Sequence, residues 1–125
     1  MSVLDRLKAD QDKYVRVEVA NNPNISLEIM EYLATDSINA KPTSKALLSY
    51  GYRVYTDYHH QVRLAIAGRK DITEKIAFIL SKDHLPQVRQ ILAKNINVPL
   101  NIIVSLCEDS NQKVQDEAIK TFLAR

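Results

Sequence analysis

The sequence predicts an all-α fold, a right-handed α-α superhelix of about four stacked helix pairs with one irregular repeat. A Val-Arg pair recurs along the chain, a Val-Gln pair takes its place near the C-terminus, and an Asp lies five residues before each Val. The interval from Asp83 to Asp109 gives a period of 26 residues, which is typical of helical repeats. Only two glycines and four prolines occur in 125 residues, which disfavours a turn-rich sheet fold.

Each repeat is predicted to contain a short first helix and a longer second helix. Apolar residues four and five positions after the Val, such as Leu92 and Ala93 after Val88, form one stripe on the first helix. A second apolar row lies 10, 14 and 18 positions after the Val and predicts the buried face of the second helix. In the three clearest repeats this row is Ile25, Ile29, Leu33; Ile72, Ile76, Leu80; and Val98, Ile102, Leu106.

Polar residues mark the predicted ends of the second helix. Nine positions after the Val stand Asn24, Asp71 or Asn97, residue types that accept hydrogen bonds from main-chain N–H groups at a helix start. The run from Asp71 to Glu74 resembles a capping box. The Asp that precedes the next Val, as at Asp83 and Asp109, is predicted to end the helix.

The two ends and one internal segment depart from the regular repeat. Residues 1–10 fit the tail of a second helix, and residues 114–125 fit a lone first helix in which Val114, Ala118 and Phe122 form the buried row. Segment 37–56 is five residues too short, and Pro42 disfavours helix where the pattern requires an Arg. We therefore expect one domain, 1–125, with a loop at the start of segment 37–56.

Composition favours a cytoplasmic protein without a membrane segment. Net charge is +2, Cys107 is the single cysteine, and charged residues occupy the N-terminal stretch where a signal peptide has an apolar run. The longest apolar stretches are too short to span a bilayer. Two glycines provide no phosphate-binding loop, and no catalytic triad or Cys-His arrangement stands out. The sequence thus predicts no enzyme activity and no cofactor or metal; it leaves the oligomeric state open.

Three phrases of the sequence, VRVEVANNPNISLEIMEYLATD, VRLAIAGRKDITEKIAFILSKD and VRQILAKNINVPLNIIVSLCED, carry a family resemblance. They are similar to HEAT-like repeats, and in detail to the leucine-rich repeat variant (LRV) family. The resemblance implies a solenoid in which Asp and Arg residues form a ladder between repeats. Its members are Asp10, Arg16, Asp57, Arg63, Asp83, Arg89 and Asp109. The alternative is that the three arginines bind a phosphate or another acidic ligand.

A tyrosine-rich and basic stretch is the predicted partner site. Four of the six tyrosines lie between residues 49 and 60, and Tyr is enriched where proteins meet partners. The residues predicted to bind a protein or peptide on the concave face of the second helices are Tyr52, Arg53, Tyr55, Tyr58, His59, Arg69, Lys70 and Lys75. The alternative is that the rings cover the irregular repeat.

Nucleic acid is the alternative ligand for the same residues. Residues 37–95 contain ten Lys and Arg against four Asp and Glu. A basic surface with interleaved tyrosines binds single strands by charge and stacking. The sequence therefore leaves two functions open, a protein-interaction module and a nucleic-acid-binding module.

Overall fold

The computed structural model describes residues 2–35 and 60–125, and within them the chain forms α-helices and no β-strand. The helices are α1 (Val3–Leu7), α2 (Lys13–Asn21), α3 (Leu27–Ala34), α4 (His60–Ala67), α5 (Glu74–Ser81), α6 (Pro86–Lys94), α7 (Leu100–Leu106) and α8 (Gln112–Ala124). The prediction of an all-α chain is confirmed for these residues. Segment 37–56, predicted to be irregular, lies outside them.

The helices after α1 alternate between two rows. The first helices α2, α4, α6 and α8 contact one another in that order, and the second helices α3, α5 and α7 do the same. Contacts also join the rows, because α3 packs on α4, α5 on α6 and α7 on α8. Helix α2 touches α4 directly, although 38 residues of chain separate Asn21 from His60.

Apolar side chains of both rows form one core. Val62, Ile66, Val88 and Leu92 contribute from first helices and are completely buried. The predicted second-helix row is buried in all three repeats, since none of its nine members is more than 8 % exposed. The burial pattern read from the period is therefore confirmed. Burying an aliphatic side chain of this size stabilises a fold by about 1.5–3 kcal/mol.

The predicted start of the second helix is wrong by two residues. Helices α3 and α5 are capped by Ser26 and Thr73, whose hydroxyl oxygens each accept a hydrogen bond from the main-chain N–H three residues later, at 3.2 Å. Pro99 precedes α7 and makes no side-chain cap. Asn24, Asp71 and Asn97 lie in the preceding turn. The predicted capping box from Asp71 is therefore wrong, because Thr73 takes the capping position.

The helix ends also differ from the prediction. Helices α5 and α7 end at Ser81 and Leu106, so Asp83 and Asp109 lie beyond them in the turn that leads to the next first helix. The Asp carboxylates therefore lie in the turns that connect two helices. They are available to side chains of neighbouring repeats.

The last helix buries a different residue from the one predicted. Val114 and Ala118 are buried as expected, but Phe122 is largely exposed and Thr121 is buried instead. Two helical turns separate residues seven apart, so position 121 returns to the face of Val114, whereas position 122 is rotated away by almost a quarter turn. At the other end, α1 contains no buried residue, and Leu4 and Leu7 are half-buried against the core.

Candidate functional site

Arginines and aspartates of successive repeats form a chain of hydrogen bonds, here called the Asp–Arg series (Arg63, Asp83, Arg89, Asp109). Arg63 donates from Nε and Nη2 to the two carboxylate oxygens of Asp83, at 2.5 and 3.1 Å. Arg89 contacts Asp109 in the same bidentate way, at 2.8 and 3.2 Å. Arg89 also donates from Nη1 to the main-chain oxygen of Asp83 at 2.5 Å. Asp83 thus binds two arginines, through its carboxylate and its carbonyl.

The carbonyl contact recurs at both ends of the chain. Arg16 donates from Nη1 to the main-chain oxygen of Asp10 at 2.6 Å. Gln115, which replaces Arg in the last repeat, donates from Nε2 to the main-chain oxygen of Asp109 at 2.5 Å. A neutral donor therefore makes the same contact at this position. Asp57, another residue of the predicted ladder, lies outside the described residues.

Burial makes the charge pairs of this series mutually dependent. The Arg63 side chain is 0 % exposed and that of Asp83 5 %, so each charge requires its partner. Burial alone would raise the pKa of Asp109. The hydrogen bonds from Arg89 and from the N–H of Asn111, with the charge of Arg89, outweigh burial, and the pKa of this carboxyl lies below its ordinary value.

A second set of contacts, here called the carbonyl series (Arg69, Asn95, Thr121), joins the C-terminal ends of the first helices. Asn95 donates from Nδ2 to the main-chain oxygens of Ala67 and Arg69, at 2.8 and 2.9 Å. Thr121 donates from Oγ1 to the main-chain oxygen of Ala93 at 2.5 Å. Both side chains are buried. They satisfy carbonyls that a helix leaves without partners at its C-terminus.

Arg69 completes this series across the irregular segment. Its Nη1 donates to the main-chain oxygens of Ala20 and Asn22, at 2.7 and 2.9 Å. A cleft of about 510 Å³ lies between α2 and α4 at this point, lined in part by Leu64 and Gly68. At the equivalent positions Asn95 and Thr121 reach their acceptors with short side chains. Arg69 has a longer side chain and reaches its acceptors beside this cleft.

The sequence prediction missed the carbonyl series. All three residues lie seven positions after the repeat Val, and Asn22 holds the same position in α2's repeat. The sequence did contain a signal for this series, because the seventh position after the Val is polar each time. In two places it forms the sequence Ala-x-Asn, at Asn22 and Asn95. Its members differ in residue type, and this hid their shared contact.

Arg69, a predicted partner-binding residue, is 9 % exposed in its side chain and makes further contacts with Asp71. Its Nε and Nη2 donate to the Asp71 carboxylate oxygens at 2.8 and 3.0 Å. These hydrogen bonds hold the pKa of Asp71 below its ordinary value. The contacts give Arg69 a structural role, and its partner-binding role stays a prediction.

The remaining predicted partner residues are in different places. Lys70 is exposed in the turn after α4. Lys75 lies on α5, where its Nζ is 3.2 Å from Glu31 Oε2 of α3. Five predicted partner residues lie outside the described part of the chain: Tyr52, Arg53, Tyr55, Tyr58 and His59.

The outer side of α3, α5 and α7 exposes apolar side chains beside charged ones, and we call it the second-helix face. Phe78 on α5 is 56 % exposed, and Leu100 and Val104 on α7 are each 48 % exposed. Asn101, between the latter two, donates from Nδ2 to Glu74 Oε1 of α5 at 3.2 Å. The face is made of Leu27, Glu28, Glu31, Glu74, Lys75, Phe78, Lys82, Leu100, Asn101, Val104 and Glu108.

Carboxylates outnumber amines on the second-helix face, four to two. Lys75 is paired with Glu31, and Lys82 Nζ lies 5.5 Å from the centre of the Phe78 ring. Glu28 and Glu108 make no ion pair with any residue in the described ranges. The sequence prediction placed the partner on the second helices but named only Lys75 of this face, because it treated those helices by their buried rows.

Residues 2–35 and 60–125 contain neither a candidate metal cluster nor a candidate membrane-spanning helix. No three His, Cys, Asp or Glu side chains come together there as a possible metal site. None of the helices in these ranges has both the length and the apolar character required to cross a bilayer.

The chain matches no protein-family model, no curated protein and no solved structure. Its resemblance to HEAT-like and LRV repeats stays a prediction from the repeated phrases.

Proposed function

We propose that this chain is a non-catalytic helical-repeat module that binds a protein or peptide partner through its second-helix face. The proposed architecture is a right-handed HEAT/LRV-like solenoid of about four helix pairs. The 26-residue period and the two ordered rows of helices support it. The single cysteine supports a cytoplasmic location.

The exposed apolar side chains of the adjoining helices α5 and α7, here called the apolar cluster, are the observation that carries this proposal. Phe78, Leu100 and Val104 are each about half exposed, and the contact between Asn101 and Glu74 joins the two helices that present them. Neighbouring exposed apolar residues with a polar rim are typical of protein-interaction surfaces. The Asp–Arg series and the carbonyl series join the first helices and the turns beside them, and a surface that is ordered before binding loses less entropy on binding.

Charge argues against nucleic acid as the ligand of this particular face. Four glutamates repel a phosphate backbone, and the two lysines are already engaged with Glu31 and the Phe78 ring. Nucleic-acid binding through the predicted basic and tyrosine-rich residues, most of which lie outside the described ranges, stays a separate prediction.

The test is a cross-linked capture from host lysate followed by mass spectrometry. The double variant Phe78→Ser with Val104→Ser removes the apolar cluster. Ile119→Ser is the matched control, because Ile119 on α8 is 42 % exposed and lies outside the face. We expect a specific protein to be captured by the wild type and by the control and lost by the double variant, with unchanged far-UV circular dichroism. Equal capture by all three proteins would contradict the proposal.

Fluorescence anisotropy with labelled single- and double-stranded DNA at two salt concentrations tests the alternative. We expect no binding at micromolar protein concentration. Binding that weakens steeply with salt would favour the nucleic-acid module instead.

A further inference from the structure

We propose that the partner segment recognised by the second-helix face is a basic amphipathic α-helix. This inference rests on the proposed function and names the chemistry of the partner. It follows from the charge balance of the face, the spacing of its carboxylates around the apolar cluster, and the hydrogen-bonding needs of a bound backbone.

The carboxylates flank the apolar cluster at distances of one helical turn. Glu74 lies four residues before Phe78 on α5, a spacing that makes the two neighbours on the helix surface. Glu108 lies in the turn two residues beyond the end of α7, four residues after Val104. Glu28 on α3 lies one turn before Glu31, which is already paired with Lys75. The second-helix face therefore offers an apolar centre with acidic groups on either side, which fits an apolar stripe on the partner.

The uncompensated charge of the face is negative. Lys75 pairs with Glu31, whereas among residues 2–35 and 60–125 Glu74 has no ion pair and accepts a hydrogen bond from the neutral amide of Asn101. Glu28, Glu74 and Glu108 then outnumber the one remaining amine of the face, that of Lys82, which lies over the Phe78 ring. Lysine or arginine side chains flanking an apolar stripe complement this pattern, because opposite charges at an interface speed encounter and set orientation. An acidic segment is repelled by it.

The backbone of the partner favours a helix over an extended strand. An extended segment needs main-chain partners, such as a sheet edge, for its N–H and C=O groups. Residues 2–35 and 60–125 contain no strand, and the centre of the face offers the aromatic and aliphatic side chains of Phe78, Leu100 and Val104. A helix satisfies its own main-chain hydrogen bonds and needs only side-chain contacts.

The inference is tested with two designed helical peptides that share one leucine stripe and differ only in their flanking residues, lysine in one and glutamate in the other. Binding to the full chain is measured by fluorescence anisotropy at low and physiological salt. We expect the lysine peptide to bind about tenfold more tightly at low salt, with a smaller preference at higher salt. The double variant Glu28→Lys with Glu108→Lys should reverse the preference.

A matched control separates local charge from total charge. Glu18→Lys with Asp116→Lys makes the same change in net charge on exposed positions of α2 and α8, and we expect it to keep the preference for the lysine peptide. An equal shift in both double variants would overturn the inference, because total charge would then explain the preference. Equal or tighter binding of the glutamate peptide, or no binding of either peptide, would also overturn it.

A second copy of the chain is the competing occupant, and light scattering tests it. A dimer that Phe78→Ser converts to a monomer would overturn the inference, whereas a monomer at all concentrations supports it. These failures are distinguishable from failure of the proposed function. Loss of lysate capture in the Phe78 and Val104 double variant would still show that the face binds a protein, whatever the charge of its partner.

Discussion

Near the N-terminal ends of α4, α6 and α8, neighbouring segments are joined by bidentate arginine–carboxylate pairs, whereas at the C-terminal ends of the same helices they are joined by hydrogen bonds to main-chain carbonyls. The Asp–Arg series needs a planar, charged donor opposite a carboxylate, so Arg63 and Arg89 are the same residue type. The carbonyl series needs only a donor of the right reach, so Arg69, Asn95 and Thr121 all serve. The chemistry of the acceptor therefore decides how much variation a repeat position tolerates.

The largest effect is expected from breaking the buried charge pair. Arg63→Ala leaves the carboxylate of Asp83 almost fully buried without its bidentate donor, so we expect the free energy of unfolding to fall by about 3–5 kcal/mol. Urea unfolding followed by circular dichroism measures it. A loss of less than about 1 kcal/mol would show that the pair contributes no more than a surface salt bridge.

A smaller loss is expected from the carbonyl series. Asn95→Ala removes the two donors to Ala67 and Arg69 and leaves buried carbonyls without partners, so we expect a loss of about 1–3 kcal/mol in urea unfolding. Asn101→Ala on the exposed second-helix face is the matched control, with an expected change within about 0.5 kcal/mol. Equal losses of unfolding free energy in the two variants would show that Asn95 contributes no more to stability than an exposed asparagine.

The contribution of Asp109 to the free energy of unfolding should depend on pH, and the variant Asp109→Asn isolates it. The folded pKa of Asp109 lies below its unfolded value of about 3.9, so the ionised carboxylate stabilises the fold above about pH 4 and this contribution is lost as the pH falls further. Asp109→Asn should reduce the free energy of unfolding by about 1–2 kcal/mol at pH 7, and the gap to wild type should narrow at pH 3. A gap that is independent of pH would contradict this assignment.

The smallest effect tests one hydroxyl of the carbonyl series. Thr121→Val keeps the side-chain shape but removes the donor to the main-chain oxygen of Ala93, so we expect a loss of about 0.5–1.5 kcal/mol by thermal or urea unfolding. Thr121→Ser retains the hydroxyl and should lose less. If the serine variant is the less stable of the two, packing of the methyl group matters more than the hydrogen bond.

The local sequence predicted the buried row of the second helices correctly but misplaced their capping residues. The second-helix row, for example Ile76 and Leu80, was predicted because apolar residues at helical spacing must leave water together. The caps were missed by two residues because both Asp71 and Thr73 are good capping types, and only the tertiary position of Arg69 shows that Asp71 is otherwise engaged. The side chain of a near neighbour, Arg69, engages Asp71 and leaves the capping position to Thr73.

The candidate site was less predictable than the fold. Most residues of the tyrosine-rich prediction lie outside the described ranges, and Arg69 is engaged by Ala20, Asn22 and Asp71. The second-helix face brings together residues such as Phe78 and Leu100, which are 22 positions apart in the sequence. That they share one face depends on how α5 and α7 pack, and the apolar pattern within one helix contains no information on that packing.

The sequence alone determined that the described chain is helical and which aliphatic rows of the second helices are buried, because both depend on short-range periodicity and the removal of apolar surface from water. The tertiary structure alone decided which acceptor each polar side chain takes on a neighbouring helix or turn and which exposed residues share one surface. Hydrogen bonds act over about 3 Å, so their partners are set by the distances between packed helices and not by the spacing along any one of them.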